Sequence, residues 1–339
     1  MAKKSPKTMD GLMRHLSDHK GIDIHGSSQK RKLMNMGYYH GYKGYRYISK
    51  SSNAIPYKDF AELDAVYNFD AQLKAIFYPE VMRIETALKN YVLEAVVEEV
   101  KSDSLIDVYN TLLDNYKMYS VSGKTFSAQG QRKKAEDKFK TELKRRLELR
   151  NRLYKVQSDA FSSNNKIAEH YLSSDKNLPI WAIFELLSFG ELGNFVSCLN
   201  QSCRKVISKK LGIRQSDDTA AFMPERLIYA TKDLRNAIAH NNVIFDTRFK
   251  KSNIDKQVSN AITNATGVTN ITFGTITDYL VLIVYQLSLI HVSKNELRKL
   301  ISAFAECTER LRKEIPISIY NQIILTDSNV KISALKKFI

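Results

Sequence analysis

Apolar side chains recur at the spacing of helices along most of the chain. In the segment "DFAELDAVYNFDAQLKAIFYPEVMRIETALKNYVLEAVVEE", residues 59–99, they follow an i, i+3, i+4, i+7 stripe. The stripe comprises Leu73, Ile76, Phe77, Val81, Ile84, Leu88 and Tyr91. This spacing is typical of a helix that buries one face. We therefore predict a long helix over 59–99, kinked or divided at Pro79 because proline removes a helical hydrogen bond.

The same spacing predicts helices in much of the remaining chain. They are expected at 8–20, 28–36, 105–119, 131–155, 177–199, 223–242, 277–292 and 294–313. The Thr-, Asn- and Gly-rich stretch 264–276 is expected to be a loop or a hairpin. With few turn-forming residues (13 Gly and 6 Pro among 339), the chain is predicted to be all-α. We expect one domain over 1–339, with its core at about 59–99 and 177–313 and a basic helical insertion at about 100–176.

Composition indicates the compartment. Three cysteines, Cys198, Cys203 and Cys307, lack the spacing of metal ligands and indicate a reducing environment rather than a disulfide scaffold. The longest apolar run, "YLVLIVYQLSLI" at 279–290, is too short and too interrupted to span a bilayer. No signal peptide is recognised, because no apolar run follows the basic N-terminus. We expect a cytoplasmic protein with no membrane partner, no metal and no cofactor.

Positive charge is concentrated in two segments. The chain has 52 Lys and Arg against 36 Asp and Glu, a net charge of +16, and residues 1–50 and 132–155 each hold eleven of the basic residues. Such segments attract polyanions and release counterions on meeting phosphates. We predict RNA contacts from Lys144, Arg145 and Arg146 in the second segment. A solvated face that serves solubility is the alternative explanation of such a charge run.

Tyrosines and glycines alternate in "GYYHGYKGYRY", residues 37–47, beside Lys43 and Arg46. Tyrosine rings can stack on bases while lysine and arginine neutralise phosphates, so Lys43 and Arg46 are also candidate RNA contacts. The simpler interpretation is that these tyrosines pack an irregular segment onto the helical body, and we favour it for the rings.

The segment "LRNAIAHNN", residues 234–242, carries the candidate chemistry. On a helical wheel, Leu227, Ala230, Leu234, Ala237 and Ile238 gather on one face, and Tyr229, Asp233, Asn236 and His240 gather on the other. Arg235 flanks the polar face, well round the helix from His240. Both residues would meet one phosphate only if the arginine reached round or if two copies of the helix met. The wheel therefore predicts a composite site in a homodimer.

Arginine and histidine together suit RNA cleavage without metal. A guanidinium offers a rigid fork of donors that matches a phosphate, and imidazole exchanges a proton near neutral pH. Arg235 would stabilise charge on the phosphate, His240 would transfer protons, and Asn236 would fix the imidazole or hold substrate. Spacing alone does not decide this, since an Arg-x4-His pair also fits a capped helix end at which the dipole favours a cation.

Four segments, in order, resemble the Abi family of bacterial abortive-infection proteins (the Abi_2, or AbiD/AbiF-like, group). "RNAIAHNN" at 235–242 resembles the Arg-Asn-x3-His form of the HEPN ribonuclease motif. "GYYHGYKGY" at 37–45 and the helical segment 69–92 are similar to that family's N-terminal motif and first long helix. "PIWAIFELLSFGELGNFV" at 179–196 resembles its Trp-x3-Glu-x3-Phe-Gly signature, here Trp181, Glu185, Phe189 and Gly190.

The resemblance implies an all-α, HEPN-like helical bundle, a role in phage defence and RNA as the ligand. A metal-independent endoribonuclease acting through the ribose 2′-hydroxyl is the leading hypothesis. Alternatives are a non-catalytic RNA-binding protein in complex with a small noncoding RNA, and a protein-binding component of a toxin system. The chain departs from its relatives after the motif histidine, where they often carry a bulky or basic residue and this chain has Asn241 and Asn242.

Overall fold

The computed structural model describes residues 7–127 and 129–339, and the side chains of all of these except residues 39 and 40. This part of the chain contains sixteen α-helices and no strand, which confirms the all-α prediction. They are α1 (Met9–Lys20), α2 (Gly26–Met36), α3 (Lys43–Tyr45), α4 (Phe60–Val100), α5 (Leu105–Thr111), α6 (Gln129–Ser162), α7 (Lys166–Leu172), α8 (Ile180–Leu186), α9 (Phe189–Cys198), α10 (Gln201–Lys210), α11 (Met223–Ala239), α12 (Lys256–Thr266), α13 (Ile276–Leu289), α14 (Lys294–Glu314), α15 (Ile317–Ile324) and α16 (Ser328–Phe338). The first six residues of the basic N-terminal segment lie outside the described part.

The helices pack as two compact units. Of the described residues, the first comprises 7–82, 233–253 and 259–339, and the second comprises 83–127, 129–232 and 254–258. Three of the boundaries fall inside helices α4, α11 and α12, so each of these helices contributes residues to both units. The expectation of one domain with a basic insertion at about 100–176 stays a prediction.

Helix α4 is continuous over 41 residues and includes Pro79, so the chain is not divided there. Proline removes a single hydrogen bond from the helix interior. The buried stripe on either side of it holds the segment helical, since Leu73, Phe77, Val81 and Ile84 are all fully buried. Tertiary packing of this kind commonly outweighs local propensity.

The single helix predicted over 177–199 is wrong, because the chain turns between α8 and α9. Ser188 caps α9: its side chain accepts the backbone N–H of Glu191, and the Glu191 carboxylate accepts the backbone N–H of Ser188. This reciprocal capping box satisfies N–H groups that a helix start leaves open. The helix predicted over 105–119 is also interrupted, since α5 is followed by a separate 3₁₀ turn over Asn115–Tyr119.

The Thr- and Asn-rich segment begins inside α12, and a loop without strands follows that helix. The sequence patterns did not predict helices α3, α7, α10, α12, α15 and α16. Among the described residues, no helix is long and apolar enough to cross a bilayer.

Candidate functional site

Helix α11 buries one face and lines a cleft with the other. Leu227, Leu234 and Ile238 are buried. Asp233, Asn236 and His240, spaced at three- and four-residue intervals, line a cleft of about 510 Å³ in the first unit. The structure thus brings Asn236 and His240 together at one site. Tyr229, expected on the same polar face, instead belongs to the second unit and donates its hydroxyl to Asn194 at 2.7 Å.

His240 directly follows Ala239, the last residue of α11, at the point where the chain reverses. The backbone N–H of Asn242 bonds to the carbonyl of Ala237 at 2.8 Å, and that of Asn241 bonds to the carbonyl of Ile238 at 3.1 Å. These two bonds form a Schellman motif, in which the residue after the cap is left-handed. Asn241 has φ 53°, a conformation that asparagine adopts more readily than bulky residues. The asparagine that departs from the family pattern therefore suits the turn that ends the helix.

The segment that follows the turn is anchored by Asp70 of α4, a fully buried carboxylate. Its Oδ1 accepts the backbone N–H groups of Ile244 at 2.7 Å and Phe245 at 2.8 Å. Its Oδ2 accepts the Tyr45 hydroxyl at 2.7 Å and lies 2.8 Å from Nζ of Lys74. Four donors satisfy the buried charge, as a buried carboxylate requires.

Lys74 extends this anchor to the helix end. Its Nζ donates to Oδ1 of Asn241 at 2.9 Å. Asp70 and Lys74 thereby connect α4 to the turn beside His240. Burial, followed by the nearby Asp70 carboxylate, raises the pKa of Tyr45, so its hydroxyl stays protonated and donates to Asp70.

Two further cations line the cleft. Arg248 and Lys251 come from the segment after α11. Gly44, from the Gly/Tyr segment (residues 37–47), lines the same cleft. Asp233 contributes the acidic group, and its Oδ2 accepts the backbone N–H of Lys251 at 2.9 Å. An imidazole, an amide and two cationic side chains therefore line one cleft.

Arg235 is half-exposed and is not among the residues that line this cleft. Its Nη1 donates to Oδ1 of Asn236 at 3.3 Å, so the arginine contacts the cleft through the neighbouring amide. This agrees with the wheel, which set Arg235 apart from His240 on a single helix. Sequence reasoning missed Arg248 and Lys251, although the basic run "RFKK" at 248–251 signals them once the chain is known to reverse after α11.

The Gly/Tyr segment packs rather than presenting all its rings to solvent. Tyr42 and Tyr45 are buried, and Tyr45 stacks on Phe245 with 5.7 Å between ring centroids. Lys43 is exposed, with Nζ 5.5 Å from the centroid of the Tyr38 ring. Arg46 is half-buried, with its guanidinium carbon 5.7 Å from the centroid of the Tyr47 ring. The part assigned to Lys43 and Arg46 in RNA binding stays a prediction.

The three basic residues singled out on α6 differ in their surroundings. Lys144 is exposed, with Nζ 3.6 Å from Oε1 of Glu148. The Arg145 guanidinium pairs with Glu142 at 3.1 Å. Arg146 donates to the carbonyl of Tyr109 at 2.9 Å, and its guanidinium carbon lies 3.9 Å from the centroid of that tyrosine ring. Arg146 therefore holds the α5 segment to α6 whatever else it binds, whereas Lys144 is available to a ligand.

In the segment 179–196, which carries the Trp-x3-Glu-x3-Phe-Gly signature, Gly193 allows a close approach between α9 and α11. A Cβ at Gly193 would lie 3.0 Å from Cζ of Tyr229, closer than ordinary van der Waals contact. Phe189 is buried, while Trp181 is 43% exposed. Glu185 is exposed to solvent.

These features define an all-α protein whose polar cleft lies at the C-terminal end of a helix and combines histidine, amide and cationic side chains. Residues 31–246 match the family described as Abi-like protein, which is more than half of the chain, so the chain belongs to that family. The match supports a role in abortive infection, a form of phage defence. It includes Asp70 and the 235–240 motif and ends before Arg248. No curated protein and no solved structure is significantly similar to the chain.

Proposed function

We propose that this Abi-like protein binds RNA and cleaves it, without a metal, as the effector of a phage-defence response. One observation carries the proposal: exposed His240 shares a cleft with Asn236 and the cations Arg248 and Lys251. Imidazole can take and return a proton near neutral pH. Cations beside it stabilise the charge that develops on a phosphodiester under attack.

The proposed reaction is internal transesterification. The ribose 2′-hydroxyl gives its proton to a histidine, and its oxygen forms a new bond to phosphorus. The bond from phosphorus to the 5′-oxygen breaks, and the leaving oxygen takes a proton from a protonated histidine. The products carry a 2′,3′-cyclic phosphate and a 5′-hydroxyl, and no oxidant, reductant or cofactor is consumed.

The two proton transfers favour a homodimer. Because Arg235 does not line the cleft of one copy, we propose that two copies appose their α11 ends and that Arg235 of one copy approaches RNA beside His240 of the other. One histidine then serves as base and the second as acid. Active protein that is monomeric by light scattering contradicts this arrangement.

The decisive experiment compares His240→Ala with His19→Ala on host RNA. His19 is the matched control, because it too is an exposed histidine at the C-terminal end of a helix, in the last turn of α1. Loss of proton transfer predicts a fall in cleavage of roughly 10²–10⁴-fold for His240→Ala, with RNA still bound. His19→Ala and excess EDTA are expected to leave cleavage unchanged. Sequencing of the products records which ends carry the cyclic phosphate.

Normal cleavage by folded His240→Ala, or complete inhibition by EDTA, overturns the ribonuclease proposal. The second candidate is a protein that binds a small noncoding RNA without cutting it. The position of Arg235 favours it, since that arginine lies off the cleft of a single copy. RNA that co-purifies intact with wild-type protein supports this candidate. The basic residues Lys144 and Arg145 are proposed to bind RNA in either case.

A further inference from the structure

We propose that Arg248 and Lys251 form a phosphate-binding subsite of the cleft, which takes a phosphodiester of single-stranded RNA beside His240. The inference deepens the proposed function and rests on its claim that RNA is the ligand. It assigns the phosphate contact within one copy to residues outside the 235–240 motif. Arg235 would then act either through its hydrogen bond to Asn236 or at the cleft of the other copy in a dimer.

Arg248 is held in a fixed orientation. Its Nε donates to both carboxylate oxygens of Asp246 at 2.8 Å, and Nη2 donates to Asp246 and to the carbonyl of Tyr47. Its guanidinium carbon also lies 4.2 Å from the centroid of the Tyr47 ring. Asp246 is itself buried and accepts the backbone N–H of Ser49 at 2.8 Å. A guanidinium fixed in this way loses little further freedom when it binds an anion.

The fixed guanidinium retains donors for a ligand. The hydrogen bonds from the Arg248 side chain to the described residues come from Nε and Nη2. Nη1 forms no hydrogen bond to the described residues. The side chain keeps 19% of its surface exposed and lines the cleft. Asp246 offsets part of the arginine's charge, so a second cation is needed to attract a phosphate strongly.

Lys251 supplies that second charge. It is exposed, lines the same cleft, and its ammonium forms no ion pair with the described residues. Its backbone is fixed, because its N–H bonds to Oδ2 of Asp233 at 2.9 Å. A rigid arginine fork with a mobile lysine beside it is a combination that proteins use for phosphate.

The test measures RNA binding in the His240→Ala background, in which RNA is expected to remain uncut. The probe is a single-stranded RNA oligonucleotide of randomised sequence with a fluorescent 5′ end, followed by anisotropy at several salt concentrations. Arg248→Gln is expected to weaken binding by roughly tenfold, the size of one charge-assisted hydrogen bond. The slope of log affinity against log salt should fall by about one.

Arg312→Gln is the matched control. Arg312 also pairs with a carboxylate, through two bonds of 2.7 Å to Glu309 in the same unit, but it does not line the cleft. Its loss is expected to leave affinity unchanged. Lys251→Gln, at a side chain that is exposed and forms no ion pair with the described residues, should also lower the salt slope by about one. If thermal melting shows that Arg248→Gln is unfolded, the Lys251→Gln variant alone tests the phosphate-binding subsite.

The outcomes separate the two proposals. RNA bound equally by the parent, Arg248→Gln and Lys251→Gln proteins overturns the subsite while leaving RNA binding intact. An equal loss of affinity in Arg312→Gln also overturns it, because the effect is then one of overall charge. RNA bound by none of the proteins, wild type included, overturns the proposed function and the subsite with it.

Discussion

Replacing Asp70 tests whether one buried carboxylate holds the segment beside His240. Asp70→Ala removes the acceptor of four hydrogen bonds and leaves two buried backbone N–H groups, those of Ile244 and Phe245, without it. Each unsatisfied buried donor costs about 1–3 kcal/mol. Lys74, with 13% of its side chain exposed, also loses its carboxylate partner. Removal of one partner of a buried pair typically costs about 3–5 kcal/mol, which is the expected loss of unfolding free energy.

Asp70→Asn separates the charge from the backbone bonds. The retained side-chain oxygen can still accept both N–H groups, whereas the attraction to Lys74 is lost. The amide NH2 group takes the place of Oδ2 and can only donate, so the Tyr45 hydroxyl must accept instead of donating. We expect a smaller loss of about 1.5–3 kcal/mol, the range for a hydrogen bond to a charged group. Unfolding in urea, followed by far-ultraviolet circular dichroism, gives both free energies from the midpoints and slopes.

Asp64→Asn is the control on the same helix. Asp64 pairs with Lys32 at 2.6 Å, but the lysine is 56% exposed, so the loss should stay below about 1 kcal/mol. If Asp70→Ala and Asp64→Asn unfold at the same urea concentration, the four bonds do not stabilise the segment and the reasoning is refuted.

Three further predictions concern the second unit. Gly193→Ala places a Cβ 3.0 Å from Cζ of Tyr229. This crowding should cost about 1–3 kcal/mol, more than the helix preference of alanine contributes, and should lower the melting temperature. Adding Tyr229→Leu should restore the melting temperature. Burial raises the pKa of Cys198 and of Cys203 to about 12, so a thiol reagent at about pH 8 should modify them only after unfolding; immediate reaction of both contradicts this. Burial opposes the ionisation of Glu191, but bonds from the Ser188 backbone and Arg152 outweigh it and lower its pKa. The folded pKa therefore lies below the unfolded value, so this stabilisation is present at neutral pH and is lost as pH falls; Glu191→Gln should flatten the acid limb of the stability curve.

The spacing of apolar residues predicted the helices that bury one continuous apolar stripe. Helices α4, α11 and α14 each present a regular apolar stripe, and their observed bounds lie within three residues of the predicted ones. The break between α8 and α9 interrupts an apolar run, so periodicity alone missed it. The "SFGE" sequence, residues 188–191, carried the readable signal, since serine followed three residues later by glutamate is a capping box.

The cleft depended on contacts that no local pattern contains. The wheel brought Asn236 and His240 to one face and set Arg235 aside, because rotation about a helix axis follows from spacing. Arg248 and Asp70 were not foreseen as parts of this region. The bonds from Asp70 to the 244–245 segment join residues more than 170 positions apart, and sequence periodicity does not indicate which carboxylate meets which backbone.

The Asp70 anchor also bears on when the site can exist during synthesis. Residues 44–49, 70–74 and 233–251 all contribute to the cleft or to the contacts that hold it. A ribosome adds these segments in order, so the chain has no cleft until the last of them has emerged. A product cut short before that point lacks His240 or the residues that hold it, so it is expected not to carry out the RNA cleavage proposed for this site. For a protein of an abortive-infection family, the site is therefore absent through most of translation.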